Sequence, residues 1–541
     1  MGMACITKQR VGKYTYLYES TSYRNEDGKP RNRKVRIGKL DPDTGDPVYL
    51  ESFVQRMTAE GKEPPPVGEG LTQQEAEIAR TAIDASKRHG VFHLFHSLAR
   101  DTGLWKILRD TLPDAFREVF TLACFLVDSQ DPLMYCEEWA SRNTTLPFLP
   151  RMSSQRISEL LSGISGHERN HFFEEWIQHV SETGYIAIDI TSISSYSKLM
   201  DACEWGYNRD HENLPQVNLC MLFGEGSRFP IYQTSYHGSI KDVSTLRSTL
   251  DEVAALSPDA RLRVVMDKGF YSKRNIDEML RPSRPVRFLV SVPFASAFAK
   301  KLVEGERKGI DCIGNTILTS DGAIRGVHKM RAWKTKDHGS VDLHAHVYFN
   351  PVKAAKERNE LYAYVTELKR EACKDPNCKK LQDEFGKYLI IRKSSRAEGG
   401  CTVNVREEVL DEKLKTCGWL VLLSDTVDDA QEALDIYRTK DVVEKNFDRM
   451  KNTLDLRRLR VHNDERMENK LFVSFLALAL VAALHQRMAK ANLYRKYTMH
   501  ELLLKVGRLH AAEVRGKRIL QPISREQQDI FHALGVNPPV G

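Results

Sequence analysis

Cysteine is scarce in this 541-residue chain, with ten residues that form no dense framework. That excludes a small disulfide-stapled scaffold and fits a reducing compartment. Cys373 and Cys378 make only a loose C-x4-C pair and Cys401 and Cys417 are widely split, a poor match to zinc-ligand spacing. Long apolar runs are missing too. The longest, Leu471 to Leu484, is short for a bilayer, is flanked by Lys470, His485 and Arg487, and reads as a buried helix. The chain opens polar and basic, so no signal peptide is predicted, and Ile6 stands where a myristoylation pattern needs Ser or Thr. Internal repeats and low-complexity tracts are absent as well. The expectation is a cytoplasmic protein with no membrane partner.

What is present is an ordinary globular composition, 41% hydrophobic and 28% charged, in a chain long enough for two to four domains. The net charge of +7 is unevenly spread. Ten Lys or Arg residues lie between Lys8 and Lys39 against Glu19, Glu26 and Asp27, and that window holds the whole excess. Localised basicity is the footprint of a polyanion partner. Within it, Tyr14 to Tyr18 alternates with period two, and Asp27-Gly28 supplies a turn before Arg31 to Ile37. This predicts a basic β-hairpin with Arg31, Arg33, Lys34 and Arg36 as candidate DNA contacts. Pro64-Pro65-Pro66 then marks a linker. Residues 70–180 have helical periodicity, with Ser153 or Ser154 capping a helix through Leu161, and a helix-turn-helix is one reading of it.

From Tyr185 the pattern changes to strands: Tyr185 to Ile190, Val217 to Phe223 and Phe229 to Thr234. A helix from Val243 to Ala255, a strand from Leu262 to Met266, a helix from Ser272 to Leu280 and a strand from Val286 to Val292 follow. The order βββαβαβ is that of an α/β ribonuclease-H-like core lacking its last helix. Residues 294–428 are too long for a loop and read as a β-rich insertion subdomain. The expected organisation is a β-hairpin module over 1–60, a helical DNA-binding region over 70–180 and the core over 181–293. The insertion over 294–428, the rest of the core over 429–490 and a helical end over 491–541 complete it.

Asp189 interrupts the apolar strand Ile186 to Ile190, and Asp267 ends the strand Leu262 to Met266. An aspartate in or at the tip of a buried strand costs desolvation and needs a partner. The helical stretch from Tyr437 supplies further chemistry. At about 100° per residue, Tyr437, Lys440, Glu444 and Lys451 share an arc of roughly 60°. Val443, Phe447, Met450 and Leu454 make the adjoining apolar face, with Arg438, Lys445 and Arg449 turned to solvent. Three carboxylates converge if this helix packs on the sheet. Two such charges 4 Å apart repel by roughly 4 kcal/mol at an effective dielectric of 20, so they require cations. Oxygen ligands with room for water and phosphate select Mg2+ or Mn2+.

Asp189, Asp267 and Glu444, with Tyr437-x2-Lys440-x3-Glu444-x6-Lys451, closely resemble bacterial insertion-sequence transposases of the DDE class with the Y-x2-R-x3-E-x6-K signature. The resemblance takes in the basic N-terminal module, the stretch Trp205 to Asp210, Asp267 to Phe270 and the signature helix. It implies a bacterial, nucleoid-associated enzyme in which Asp189, Asp267 and Glu444 bind two Mg2+ ions, with Mn2+ as substitute. It further implies that Tyr437, Lys440 and Lys451 hold phosphates at the transposon end, and that a Trp of the insertion stacks on a flipped base, Trp333 being the candidate. The partners implied are terminal inverted repeats, target DNA and a second copy of the chain in a DNA-bound homodimer. Lys440 stands where the signature has arginine, which removes the bidentate fork. A nuclease or resolvase on the same fold, or a DNA-binding relic, are the rival readings.

Overall fold

A computed structural model describes the chain except residues 1–4, 13, 26–28, 42–45, 62–84, 130, 211, 258–261, 284, 321, 338, 379–380, 394–400, 441–446, 448–450, 452–453, 455, 457, 515–516 and 541. It divides into two compact units, Met1–Ala85 and Ser86–Gly541.

The first unit is an antiparallel sheet in the order β1 (Cys5–Val11), β2 (Tyr14–Arg24), β3 (Pro30–Leu40), β4 (Pro47–Tyr49), followed by the helix Glu51–Ala59. The expected turn Asp27-Gly28 lies outside the described residues, as does the proline linker. Asn25 closes the β2–β3 connection, its side chain accepting from the Lys29 amide at 2.8 Å. Among the described residues, Leu17, Ile37 and Phe53 make its buried core. Arg56 ties the helix to β2 through Glu19 at 2.7 Å.

The second unit is built on a nine-stranded mixed sheet. β5 (Ser86–Arg88) precedes it and joins a small separate sheet with β17 (His510–Val514) and β18 (Lys517–Leu520). β6 (Ile186–Ser194), β7 (Gln216–Gly224), β8 (Pro230–His237), β9 (Arg263–Met266) and β10 (Arg287–Ser291) form one half, in the spatial order β10-β9-β6-β7-β8. β6, β9 and β10 run parallel, β7 pairs antiparallel to β6, and β8 pairs antiparallel to β7. The helix Asp242–Leu256 separates β8 from β9, and Lys273–Met279 separates β9 from β10.

The other half corrects the picture of residues 294–428 as a subdomain of their own. β11 (Thr316–Thr319), β12 (Gly322–Lys334), β13 (Ser340–Phe349) and β16 (Trp419–Ser424) extend the same sheet in the order β11-β12-β13-β16-β10. β10 offers a free edge, and β16 closes it by antiparallel pairing. Only the segment between β13 and β16 has a core apart. There the helices Pro351–Lys374, Gln382–Tyr388 and Glu407–Leu414 pack with β14 (Leu389–Lys393) and β15 (Cys401–Val405) around Val365, Leu368, Phe385 and Tyr388. On β12 and β13, His328 Nε2 lies 3.0 Å from His344 Nδ1, and His346 beside them is fully buried. The Val427 carbonyl accepts from His346 Nε2 at 2.9 Å, which makes that nitrogen the protonated one.

The helix Asp464–Lys490 runs through the middle of the unit, capped by Asn463, whose side chain accepts from the Arg466 amide. Among the described residues it is the one helix long and apolar enough to cross a membrane, and 94% of its apolar window is buried inside the fold. Its apolar surface meets the helices Gly90–Asp101, Phe116–Ser129 and Ser154–Gly163 and strand β8. Ser153 caps Ser154–Gly163, and a Ser165–Glu168 capping box starts Gly166–Val180. Both helices turn apolar faces inward, with Phe172 and Phe472 in edge contact at 5.1 Å.

Candidate active site

The site forms where β6 and β9 run side by side. Their register pairs Ile186 with Val264, Ala187 with Val265 and Ile188 with Met266. The next residues along are Asp189 and Asp267. β9 ends at Met266, and Asp267 turns the chain into the short 3-10 helix Lys268–Phe270. β6 continues to Ser194, and Asp189 is its one residue that keeps partial exposure, its carboxyl being packed inside the fold.

Burial pushes the Asp189 carboxyl up to about 6. The Ile190 amide, at 2.8 Å from Oδ1, and the charges of Arg209 and Lys440 pull it back, while Asp267 pushes it further up. Two acids therefore share a site whose cations only partly offset them. Tyr437 donates its phenolic hydroxyl to Asp267 Oδ1 at 3.0 Å. Lys440 Nζ lies 5.4 Å from the Tyr437 ring centroid.

Tyr437 comes from the helix Ala430–Thr439, which packs on β9, β10 and β12, and Lys440 caps its end. Asp429 caps its start by accepting from the Glu432 amide at 2.8 Å. Its last turn tightens, with the Thr439 hydroxyl on the Ile436 carbonyl and the Lys440 amide on the Tyr437 carbonyl. The described helix thus stops at Thr439, so the expected arc from Tyr437 to Lys451 is not one described helix. Glu444 lies outside the described residues, as do Val443, Lys445, Arg449 and Met450. Phe447 and Leu454, expected on the apolar face, are buried. Arg438, expected in solvent, is only half-exposed.

Lys451 is found elsewhere in the same neighbourhood. Its ammonium pairs with Asp210 at 2.6 Å, and only 12% of the side chain is exposed. Asp210 and Arg209 sit on the crossing from β6 to β7. Buried amides hold that crossing in place: Gln216 donates to the Tyr207 carbonyl at 2.8 Å, and Asn208 donates to Ser194 Oγ at 3.0 Å. Arg209 is ion-paired with Asp242, in the first turn of the helix that leads to β9. The stretch Trp205 to Asp210 is part of the family resemblance, but nothing in its local pattern marks Arg209 for a role. A cation placed against a buried acid by a long-range crossing leaves no signal in local spacing.

Trp333 belongs to the fold as much as to its surface. Its Nε1 donates to Asp277 at 2.9 Å and its ring meets Phe298 edge-on at 6.0 Å. Arg31, Arg33, Lys34 and Arg36 are all exposed on β3. Alternation sends Arg31 and Arg33 to one face and Lys34 and Arg36 to the other. Arg36 lies 4.2 Å over the Tyr16 ring.

Asp189 and Asp267 offer oxygen donors alone, the chemistry of hard divalent cations. Among the described residues no group of three His, Cys, Asp or Glu side chains is placed to hold a metal. A third ligand would have to come from residues such as Glu444.

The family model described as "Transposase DDE domain" matches residues 181–480, which take in Asp189, Asp267, Tyr437, Lys440, Glu444 and Lys451. The chain is also similar to piggyBac transposase, solved as a synaptic complex with hairpin DNA. That likeness has 10% identity and a TM-score of 0.36 over 72% of this chain and 69% of that one, too slight to carry an argument. No curated protein matches the chain. Because the family match covers more than half its length and includes both aspartates, the chain belongs to the DDE transposase family, a family of catalytic transposases.

Proposed function

We propose that this protein is the DNA transposase of a bacterial insertion sequence. It binds the element's terminal inverted repeats, hydrolyses the phosphodiester at each end and joins the freed 3′-hydroxyl to target DNA. The observation that carries the reading is the register of β6 and β9, which sets Asp189 beside Asp267 where the pairing of the two strands ends. Parallel strands in α/β sheets present ligand sites at their carboxyl ends; Asp267 stands at that end of β9, and Asp189 lies beside it on β6, just past the last β6–β9 pair.

In this reading Asp189, Asp267 and Glu444 hold the divalent ions, Mg2+ or Mn2+, that the family uses. When bound, two such ions activate a nucleophile and stabilise the leaving oxygen of a phosphodiester. The raised Asp189 carboxyl fits that role, because a bound cation supplies the charge that the protein leaves short. The Tyr437 phenol orients Asp267 by donating to one carboxylate oxygen, leaving the other available. Lys440 and Arg209 give the site positive charge for a phosphate. Lys451 meets DNA as one half of its pair with Asp210, so engaging a phosphate through Lys451 exchanges one anion for another. The basic sheet, through Arg31, Arg33, Lys34 and Arg36, and the helical region over 70–180 contact DNA outside the cleavage point. Two protomers bring two ends together in the bacterial cytoplasm.

The test is a cleavage and joining assay. It uses purified protein, a duplex ending in the sequence that flanks the gene, Mg2+ or Mn2+, and Glu444→Ala as control. Nicking at the repeat and joining to a plasmid, both metal-dependent and both lost in the variant, are expected. Cleavage without any joined product would instead identify a nuclease.

A further inference from the structure

Beyond Asp189, β6 runs five residues further to Ser194, roughly 17 Å at the usual strand rise. There it gains a second neighbour: Arg458 bridges Ser194 in parallel, and the Leu459 amide reaches the Ser194 carbonyl at 3.4 Å. A groove of about 660 Å3 opens between residues 195–199 and 458–462. Its rim is unusual. Tyr196 is 72% exposed and Leu199 75%, beside the exposed cations Lys198 and Arg460. Arg458 lies 5.4 Å over the Tyr196 ring and is held there by both oxygens of Glu212, at 2.7 and 2.8 Å.

The exposure is built into the backbone. The Ser195 amide donates to the Pro215 carbonyl, Ser195 Oγ accepts from the Ser197 amide, and Ser197 Oγ accepts from the Leu199 amide. Asp464 then accepts from the amides of Asp201 and Ala202. With both ends fastened, Tyr196 and Leu199 are kept out of the core. Arg460, at φ 50°, sits in the left-handed region on the opposite wall. A duplex backbone would need only the cations. An aromatic face and an aliphatic neighbour among cations is the composition of a stacking groove for unpaired nucleic acid.

We propose that this groove binds an unpaired nucleotide of the DNA engaged at Asp189 and Asp267, its base stacked on Tyr196 and its phosphate held by Lys198 and Arg460. The inference rests on the DNA transposase reading and adds a base-binding subsite to it. Half a turn of duplex covers the distance from the carboxylates, so one DNA molecule reaches both places.

The test uses the full chain without divalent metal, so that nothing is cut. The probes are a short single strand carrying 2-aminopurine and a blunt duplex of the same sequence. The native chain should quench the single strand's fluorescence on binding. Tyr196→Ala should lose the quench and weaken single-strand binding roughly 5- to 150-fold, the range for one lost base–aromatic stack. Tyr196→Phe should retain both, and duplex affinity should change less than twofold in either. Lys198→Ala should lower the single-strand salt slope by about 0.7. Melting midpoints equal to the native chain's show that the variants fold. An unchanged quench in Tyr196→Ala, or equal losses on single strand and duplex, overturns the proposal. A native chain that cuts duplex with Mg2+ but binds no single strand also refutes the groove and leaves the transposase standing. A chain that binds neither probe defeats both.

Discussion

The two halves of the nine-stranded sheet treat ionisable groups in opposite ways. In the half β10-β9-β6-β7-β8, β6 and β7 are buried on both faces, and the acids stand where the pairing of β6 with β9 stops. In the half β11-β12-β13-β16, β12 is exposed or half-exposed at every residue but Ile324, and three imidazoles of β12 and β13 pack against one another. Asp189 is a charge that the fold leaves short of counter-charge. His346 is a neutral group that the fold forbids to charge: burial takes it down to about 4, and His328 and His344 add to that, against the Val427 carbonyl and Asp429. One half is set up to accept a cation, and the other to stay uncharged.

The sharpest break between them is at Asp267. Asp267→Asn should abolish metal-dependent cleavage while duplex binding, read by gel shift, persists; a variant that still cuts would remove the site from β9. Next come stability shifts of opposite sign. The His346 contribution is present above the ordinary value of 6.5 and is lost as pH falls towards 4, up to about 3 kcal/mol. Denaturant titrations of His346→Phe should show that much less acid-side loss than the native chain. For Asp189 without metal, the raised carboxyl gives stability that is full below about 4 and is lost as pH rises to about 6, by a similar amount. Asp189→Asn should flatten that limb, and added Mg2+ should do the same in the native chain.

Tyr437→Phe is a smaller perturbation. Removing the hydroxyl that holds Asp267 should cost roughly 10- to 100-fold in cleavage rate or metal affinity, and raising Mg2+ should restore part of it. Smallest is Trp333→Phe, which gives up the bond to Asp277 and should cost about 1 kcal/mol in melting studies. If Trp333→Phe lowers cleavage as much as Tyr437→Phe does, Trp333 touches DNA and the extension half takes part in the chemistry.

Sequence and structure agree best where burial dictates the residue. Val217 to Phe223 reads as a strand because nearly every side chain is apolar, and β7 spans Gln216–Gly224. The predicted strand from Tyr185 stops at Ile190, but β6 continues to Ser194. Thr191, Ser192 and Ser194 look polar in sequence yet are buried, Ser192 reaching the Tyr207 carbonyl at 3.3 Å. Such satisfaction is long-range and invisible to local pattern. The two aspartates stood out because an acid in an apolar strand is costly wherever it occurs. The extension of the sheet did not, because β16 finds β10 across more than a hundred residues and carries no mark of its partner. The Arg209–Asp242 and Lys451–Asp210 pairs were hidden for the same reason.

The helix Asp464–Lys490 has a consequence for how the chain comes into being. Its partners were made long before it: Asn469 bonds Arg169 and the Leu161 carbonyl, and Arg466 bonds Ser162, at separations of 300 residues or more. At typical synthesis rates those earlier surfaces wait roughly 15–60 s for it. Throughout that interval Phe172 and Phe173 lack the partners Phe472 and Phe475 that complete their packing. A nascent chain halted before residue 464 would therefore be a client for chaperones and proteases, and the sheet that carries Asp189 and Asp267 would gain this part of its frame only once residues 464–490 are made.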